Sequence, residues 1–175
     1  IFCASNVNDV LTRFISTGKL EPKETIPSVA PSMDIQIPSS LERLIYNFEG
    51  DASSFYDQLQ NEKIAKLSEE SVVKLQNIFS SLSFNDEMIL KEIDLFYKNY
   101  GWVIDPHTAT ALSSSVTFSS TLPVVGVATA SPEKFSDVIS KTIDEFRVEN
   151  TKNEEKYFVQ KANSSLVENT IKECL

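Results

Sequence analysis

The chain has 175 residues, 41% of them hydrophobic, and a formal net charge of −9 from 25 acidic against 16 basic side chains. That is enough for one domain with its own core, or for a piece of a larger one, and without a basic cluster or stripe it makes nucleic acid a poor partner. No apolar run approaches the roughly 18 residues that span a bilayer, and four scattered glycines, Gly18, Gly50, Gly101 and Gly126, supply no glycine-rich loop able to wrap a phosphate.

Ile1 to Ser5 reads as a short buried strand. A chain that opens IFCASNVND, with neither a methionine nor a signal peptide, reads as cut from something longer. Asn6-Val7-Asn8-Asp9 follows, then the apolar spacing of Val10, Leu11, Phe14 and Ile15. That spacing predicts a helix capped by Asn8 and stopped at Gly18. The two Asn and the Asp suit either pure turn chemistry or a ligand role. From Lys19 to Pro38, four prolines forbid a long helix, and Pro-rich loops of this length commonly bind or cover something. Ser39-Ser40-Leu41-Glu42 has the spacing of a capping box, so a helix carrying Leu41, Leu44, Ile45 and Phe48 should start there.

Residues 49–100 are the helical segment. Asp51 should cap a helix bearing Phe55 and Leu59. Ser68 should cap another with Val72, Leu75, Phe79 and Leu82 on one face. Ser83 to Asp86 restarts the chain into a stripe of Ile89, Ile93, Phe96 and Tyr100, ended by Gly101. Trp102-Val103-Ile104 reads as a short strand. Asp105-Pro106-His107-Thr108-Ala109 reads as a turn entering a small-residue helix that packs closely on its neighbours. His107, the only histidine, is either a hydrogen-bonded structural residue or a base partnered by Asp105.

The chain is organised around Leu122 to Phe135. Val124-Val125-Gly126-Val127 has the look of a strand buried on both faces. Ser131-Pro132-Glu133 carries a helix-start signal, with Phe135, Val138, Ile139, Ile143 and Phe146 continuing at helical spacing. Thr129 would then lie where a central strand ends and a helix begins, the place where open α/β sheets bind ligands. Residues 150–163 read as polar loop. Ser165 to Glu168 reads as a capping box opening a C-terminal helix. Cys3 and Cys174 are read as two free thiols of a reducing compartment or as a disulfide; neither has metal-ligand spacing, so no metal is expected. The whole predicts an α/β chain of short buried strands with flanking helices and a helical middle.

Four stretches carry a resemblance. Ser5-Asn6-Val7-Asn8-Asp9 with Thr12-Arg13-Phe14 looks like an N-V-N-D…R-F segment. Pro31-Ser32-Met33-Asp34-Ile35 with Leu41-Glu42-Arg43-Leu44 is similar to an S-M-D-I segment and its E-R-L helix. Asp105 to Ala109 matches a D-P-H-T-A turn, and Thr129 to Phe135 resembles the signature T-A-H-P-A-K-F. In order and spacing together these resemble the C-terminal part of the bacterial and fungal threonine synthases, over Ile1 to about Phe146.

That resemblance implies the fold type II of pyridoxal-phosphate enzymes, akin to the β subunit of tryptophan synthase. It also implies a carbon–oxygen lyase that converts O-phospho-L-homoserine and water to L-threonine and phosphate in the cytoplasm. On it, residues 1–48 and 101–149 belong to the cofactor and substrate region, with 49–100 a helical segment and 150–175 a polar loop and terminal helix. Thr129 matches the threonine facing the pyridine nitrogen of pyridoxal phosphate. Asn6, Asn8, Asp9, Arg13, Ser32, Asp34 and His107 are substrate-pocket candidates. No catalytic residue is expected in this stretch: the lysine that carries the cofactor, and the loop that holds its phosphate, are implied to lie upstream, in the missing N-terminal half that would be its partner. Ser131 stands where the family has His and Glu133 where Ala is common. Lys134 matches the signature lysine and is not the cofactor-bearing one. Two other readings remain: a threonine-synthase-like phospholyase releasing a keto acid, and a non-catalytic module whose acidic helices bind a partner.

Overall fold

A computed structural model describes residues 1–117 and 123–148, and beyond them Asn163, Ser165, Leu166, Glu168, Asn169 and Lys172. Strand β1 (Phe2–Ser5) lies where two apolar cores meet. It pairs in parallel with β4 (Ser80–Ser83), in the register Phe2↔Ser80 to Ser5↔Ser83. A parallel pair needs a crossover, and here everything between the two strands is that crossover. It contains the whole of the first core.

Helix α1 (Val10–Thr17) turns Val10, Phe14 and Ile15 inward and ends at Gly18, whose φ of 69° is left-handed and whose N–H reaches the Phe14 carbonyl at 2.7 Å. A Cβ on Gly18 would come within 2.2 Å of Val72, so both the turn and the packing require glycine. The two-residue strands β2 (Lys19–Leu20) and β3 (Ala65–Lys66) pair antiparallel. Around α1 pack α2 (Leu41–Glu49), α3 (Ser53–Glu62) and α4 (Glu69–Ile78). Phe14, Leu20, Ile45 and Leu75 are fully buried there, and Phe14 meets Phe55 edge to face with ring centroids 6.1 Å apart. Burial of side chains this size contributes about 1.5–3 kcal/mol each.

The second core is built on α5 (Asp86–Tyr100) and α6 (Pro106–Thr117), which pack on one another, with α6 also against β1. Ile89 and Ile93 of α5, Ala109 of α6, and Ile139 and Ile143 are buried together. A short helix α7 (Ser136–Ile139) follows a 3-10 turn at Pro132–Phe135.

Several helix ends follow from local chemistry as expected. Asp51 accepts from the N–H groups of Ser53 and Ser54, Ser68 from Ser71, and Asn85 from Met88. Gly101 closes α5 with a φ of 71°. Others do not. Asn8 does not cap α1; Asp9 holds that position without a side-chain cap bond, and the Asn8 oxygen instead accepts from the Ile26 N–H and the Gln36 amide. Ser39 to Glu42 forms no capping box, since Ser40 stands before α2 in helical backbone with no side-chain bond.

The stripe of α4 stops early. Phe79 leaves the helix with φ −118° and ψ 139°, and Leu82, expected on the helix, is on β4 instead. The edge of β1 offers a ladder that local propensity cannot foresee. Tyr100 is exposed, so the stripe of α5 is spent by Phe96, whose ring it touches at 4.8 Å.

The two strands expected later are absent as strands. Trp102 to Ile104 is not in a ladder and Trp102 is 74% exposed. Pro123 to Thr129 has no regular secondary structure, and Val125 is 83% exposed. A run buried on both faces needs a neighbour on each edge, and among the described residues no strand pairs with this one. Gly126 instead lies close on α6, where a Cβ would come within 2.9 Å of Leu112.

The helix expected from Ser131 is also shorter. Ser131 makes no side-chain cap bond, and regular helix ends at Ile139. Successive turns after Ile139 still bring Ile143 inward, which satisfies the apolar spacing without continuous helix. Ser165, Leu166, Glu168, Asn169 and Lys172 are helical, and the Leu166 N–H is received by Asn163 rather than by Ser165. Most of the stretch read as a polar loop, and Cys174 with it, lies outside the described residues. Among them no helix is long and apolar enough to cross a membrane, and no group of three or more His, Cys, Asp or Glu could hold a metal.

Candidate functional site

The turn after β1 sends Asn6 and Asn8 to the Pro-rich loop. Asn6, fully buried, donates its amide to Ser28 Oγ at 2.7 Å, to Asp34 Oδ1 at 2.7 Å and to the Ala30 carbonyl at 3.3 Å. Its oxygen accepts the Asn8 N–H at 2.9 Å. Asn8 donates to Asp34 Oδ1 at 3.0 Å and to the Ile26 carbonyl at 2.8 Å, and receives the Ile26 N–H at 2.8 Å and the Gln36 amide at 3.1 Å. Asp34 also takes the Ser28 hydroxyl at 2.7 Å and the Ser28 N–H at 3.0 Å. One carboxylate thus gathers two asparagines and a serine. Buried amides that are satisfied in this way fix a backbone path. These three candidates form a clamp on the loop, and their polar atoms point inward to it.

Arg13 is similarly engaged. Its Nε meets Asp9 Oδ1 at 2.9 Å, and its two terminal nitrogens reach Glu21, one to the carboxylate at 3.4 Å and one to the main-chain carbonyl at 2.9 Å. The planar fork that could grip a carboxylate or phosphate is turned on the chain's own acids.

Asp105 organises the third stretch. Its Oδ1 accepts from the His107 N–H at 2.9 Å and the Thr108 N–H at 3.4 Å, which caps α6, and its Oδ2 accepts the Thr108 hydroxyl. The same Oδ1 lies 2.9 Å from His107 Nδ1. Burial opposes ionisation of this carboxyl, yet the bonds from His107 and Thr108 outweigh it and hold Asp105 below the usual carboxylate range. The other imidazole nitrogen, Nε2, receives the Ser32 N–H at 3.1 Å. The ring lies on Phe135 with centroids 4.7 Å apart.

All four stretches are therefore tied together. Asp34 joins the first to the second, His107 joins the second to the third, and Phe135 joins the third to the fourth. Thr129, six residues before Phe135, is exposed. At the carboxyl end of β1 the clamp leaves a cavity of about 220 Å³, lined by Ser5, Asn8, Leu11, Ser32, Met33 and Pro38 among others. A larger cleft of about 580 Å³, between Pro22, Ile37 and the α3 residues Tyr56, Leu59, Gln60 and Lys63, holds none of the candidates.

Sequence reasoning missed two members of this arrangement. Ser28 sits six positions before Asp34 with no pattern to mark it. Phe135 reads as one more apolar residue of a helix, although it is the ring against the only histidine.

No family model matches the chain. A threonine synthase of Pseudomonas aeruginosa is 32% identical over 147 residues, which cover 81% of this chain and 31% of that protein. Threonine synthase-like 1 of Macaca fascicularis is 31% identical over 169 residues, covering 93% of this chain and 23% of the relative. The crystal structure of pyridoxal-phosphate-bound threonine synthase from Brucella melitensis superposes on 98% of this chain with a TM-score of 0.80 at 26% identity, and 39% of that chain is covered. The chain spans between 23% and 40% of the length of the curated relatives it matches. Sequence and fold agree: over most of its length the chain is homologous to the threonine synthases, and its fold is that of the C-terminal part of this fold type II enzyme.

Proposed function

We propose that the chain is the C-terminal portion of a protein that converts O-phospho-L-homoserine and water to L-threonine and phosphate. The observation that carries this reading is the linkage of the four signature stretches through Asp34, His107 and Phe135, beside a cavity at the carboxyl end of a parallel strand. Neither the two amides nor the guanidinium of this portion faces the cavity free. It contributes a shaped wall and the exposed hydroxyl of Thr129.

Pyridoxal phosphate, as the cofactor of the whole protein, fits this portion along one edge only. Thr129 presents an exposed hydroxyl, suited to the ring nitrogen. Three of the four glycines, Gly18, Gly50 and Gly101, end helices, and Gly126 lies on Leu112, so none is placed to wrap a phosphate. On this reading the phosphate cradle and the cofactor-bearing lysine belong to another part of the protein. When bound, the cofactor supplies an electron sink for carbanion chemistry. Thr129, a neutral partner, orients the ring without enforcing its protonation, as a carboxylate would. Ser32 and Met33 line the substrate side of the cavity. Ser131 in place of the family His removes an imidazole from that neighbourhood, and Glu133 adds a negative charge.

The test is phosphate release and threonine formation from O-phosphohomoserine by the full-length protein and its Thr129→Val variant. Threonine from the parent, with kcat/KM down at least tenfold in the variant, is the expected outcome; tenfold corresponds to about 1.4 kcal/mol of transition-state stabilisation. Phosphate and 2-oxobutyrate without threonine would select the phospholyase. Absence of turnover would return attention to a non-catalytic module.

A further inference from the structure

The protonation of His107 follows from its partners. The Ser32 main-chain nitrogen can only donate, so Nε2 must present its lone pair. Asp105 Oδ1 already collects main-chain donors and is an ionised acceptor, so Nδ1 carries the hydrogen. Both imidazole nitrogens are committed, and the ring of Phe135 lies against it at a tilt of 58°. A general base needs a free lone pair aimed at substrate. This one is spent on a turn.

What the turn does gives the bond its meaning. Pro31–Met33 is a single 3-10 turn, and its residues Ser32 and Met33 line the cavity at the end of β1. One end of the turn is fixed by the Asp34 clamp described above. The other is fixed through the Ser32 N–H, which has no partner in the turn's own ladder; that ladder runs from Met33 to Ala30 and from Asp34 to Pro31. A residue serving the core alone would have no reason to offer an acceptor to an exposed turn.

We propose that His107 is a positioning residue of the substrate pocket, which sets the Pro31–Met33 turn through Nε2 and ties it through Phe135 to the segment bearing Thr129. The proposal rests on the enzyme reading above. His107 makes no contact with reacting atoms; it acts through Ser32. Its loss should therefore loosen substrate binding more than it slows chemistry.

A matched pair of substitutions separates this role from packing. His107→Gln places an oxygen where Nε2 stands, whereas His107→Asn, one methylene shorter, places it where Nδ1 stands and cannot reach Ser32. Both are neutral amides of like helix chemistry. In the full-length protein we expect the Asn variant to raise KM for O-phosphohomoserine about tenfold with kcat within threefold of the parent. The Gln variant should recover KM to within threefold, and the two variants should melt at similar temperatures. Equal KM in both variants, whether raised or unchanged, would overturn the proposal. So would a hundredfold fall of kcat in both at unchanged KM, which would make His107 a base, or unfolding of both before assay, which would make it purely structural. A parent that turns over no O-phosphohomoserine overturns the enzyme reading itself, and this proposal with it. With an active parent, the difference between the two variants bears on His107 alone.

Discussion

The two cores were built from comparable apolar patterns and met different ends. In the first, Phe14, Ile45, Phe55, Leu59 and Leu75 all reach the interior. In the second, the most apolar run of the chain, Val124 to Val127, stays in solvent, while Ile89, Ile93, Ile139 and Ile143 are buried. A helix satisfies its own backbone and can bury its stripe against any apolar face brought to it, as α1 and α2 do on α4. A strand satisfies its backbone only through partners on its edges, and those are set by topology. Short-range pattern therefore predicts the first case well and the second badly.

Truncation in the first core tests the contrast most strongly. Phe14→Ala should cost about 3–5 kcal/mol, read from the denaturant midpoint, because the ring is fully buried among α1, α3 and β2 and leaves a cavity that rigid neighbours cannot fill. A cost near 1 kcal/mol would mean that this core is loosely packed.

Asp105→Ala should cost about 2 kcal/mol through loss of the α6 cap and of the His107 bond. The sign of its pH dependence follows from its lowered folded pKa. The stabilisation is complete above the range in which an unfolded aspartate titrates. It is lost as the pH falls through the folded value, on the acid side of about 4. The parent's stability should therefore show a drop there that is missing in Asp105→Asn, which keeps the cap but has no charge to titrate.

The smallest effect belongs to the exposed run. Val125→Ser should change stability by less than about 0.5 kcal/mol. A cost above 2 kcal/mol in the full-length protein, against none in this chain alone, would show that the run is buried by a neighbour in the complete molecule.

Much of the helical framework was legible because its signals are local. Asp51 and Ser68 cap the helices that follow them, and Gly18 and Gly101 end helices in left-handed backbone, each within one turn of the residue it serves. The four stretches of the site were legible as strings, and their order was enough to name a family. Their contacts were not. Asn8 looked like a cap and is a clamp; Leu82 looked helical and lies on a strand whose partner, Ala4, is 78 positions away. His107 had two readings until Ser32 and Asp105 took its two nitrogens.

The sequence by itself determined most of the helix ends and helical stripes of residues 1–101, because those preferences are carried by single residues and by spacings of three and four. Only the tertiary structure decided what the buried polar groups hold. An amide or an imidazole has several possible partners, and which of them it finds depends on segments that only the fold brings within 3 Å.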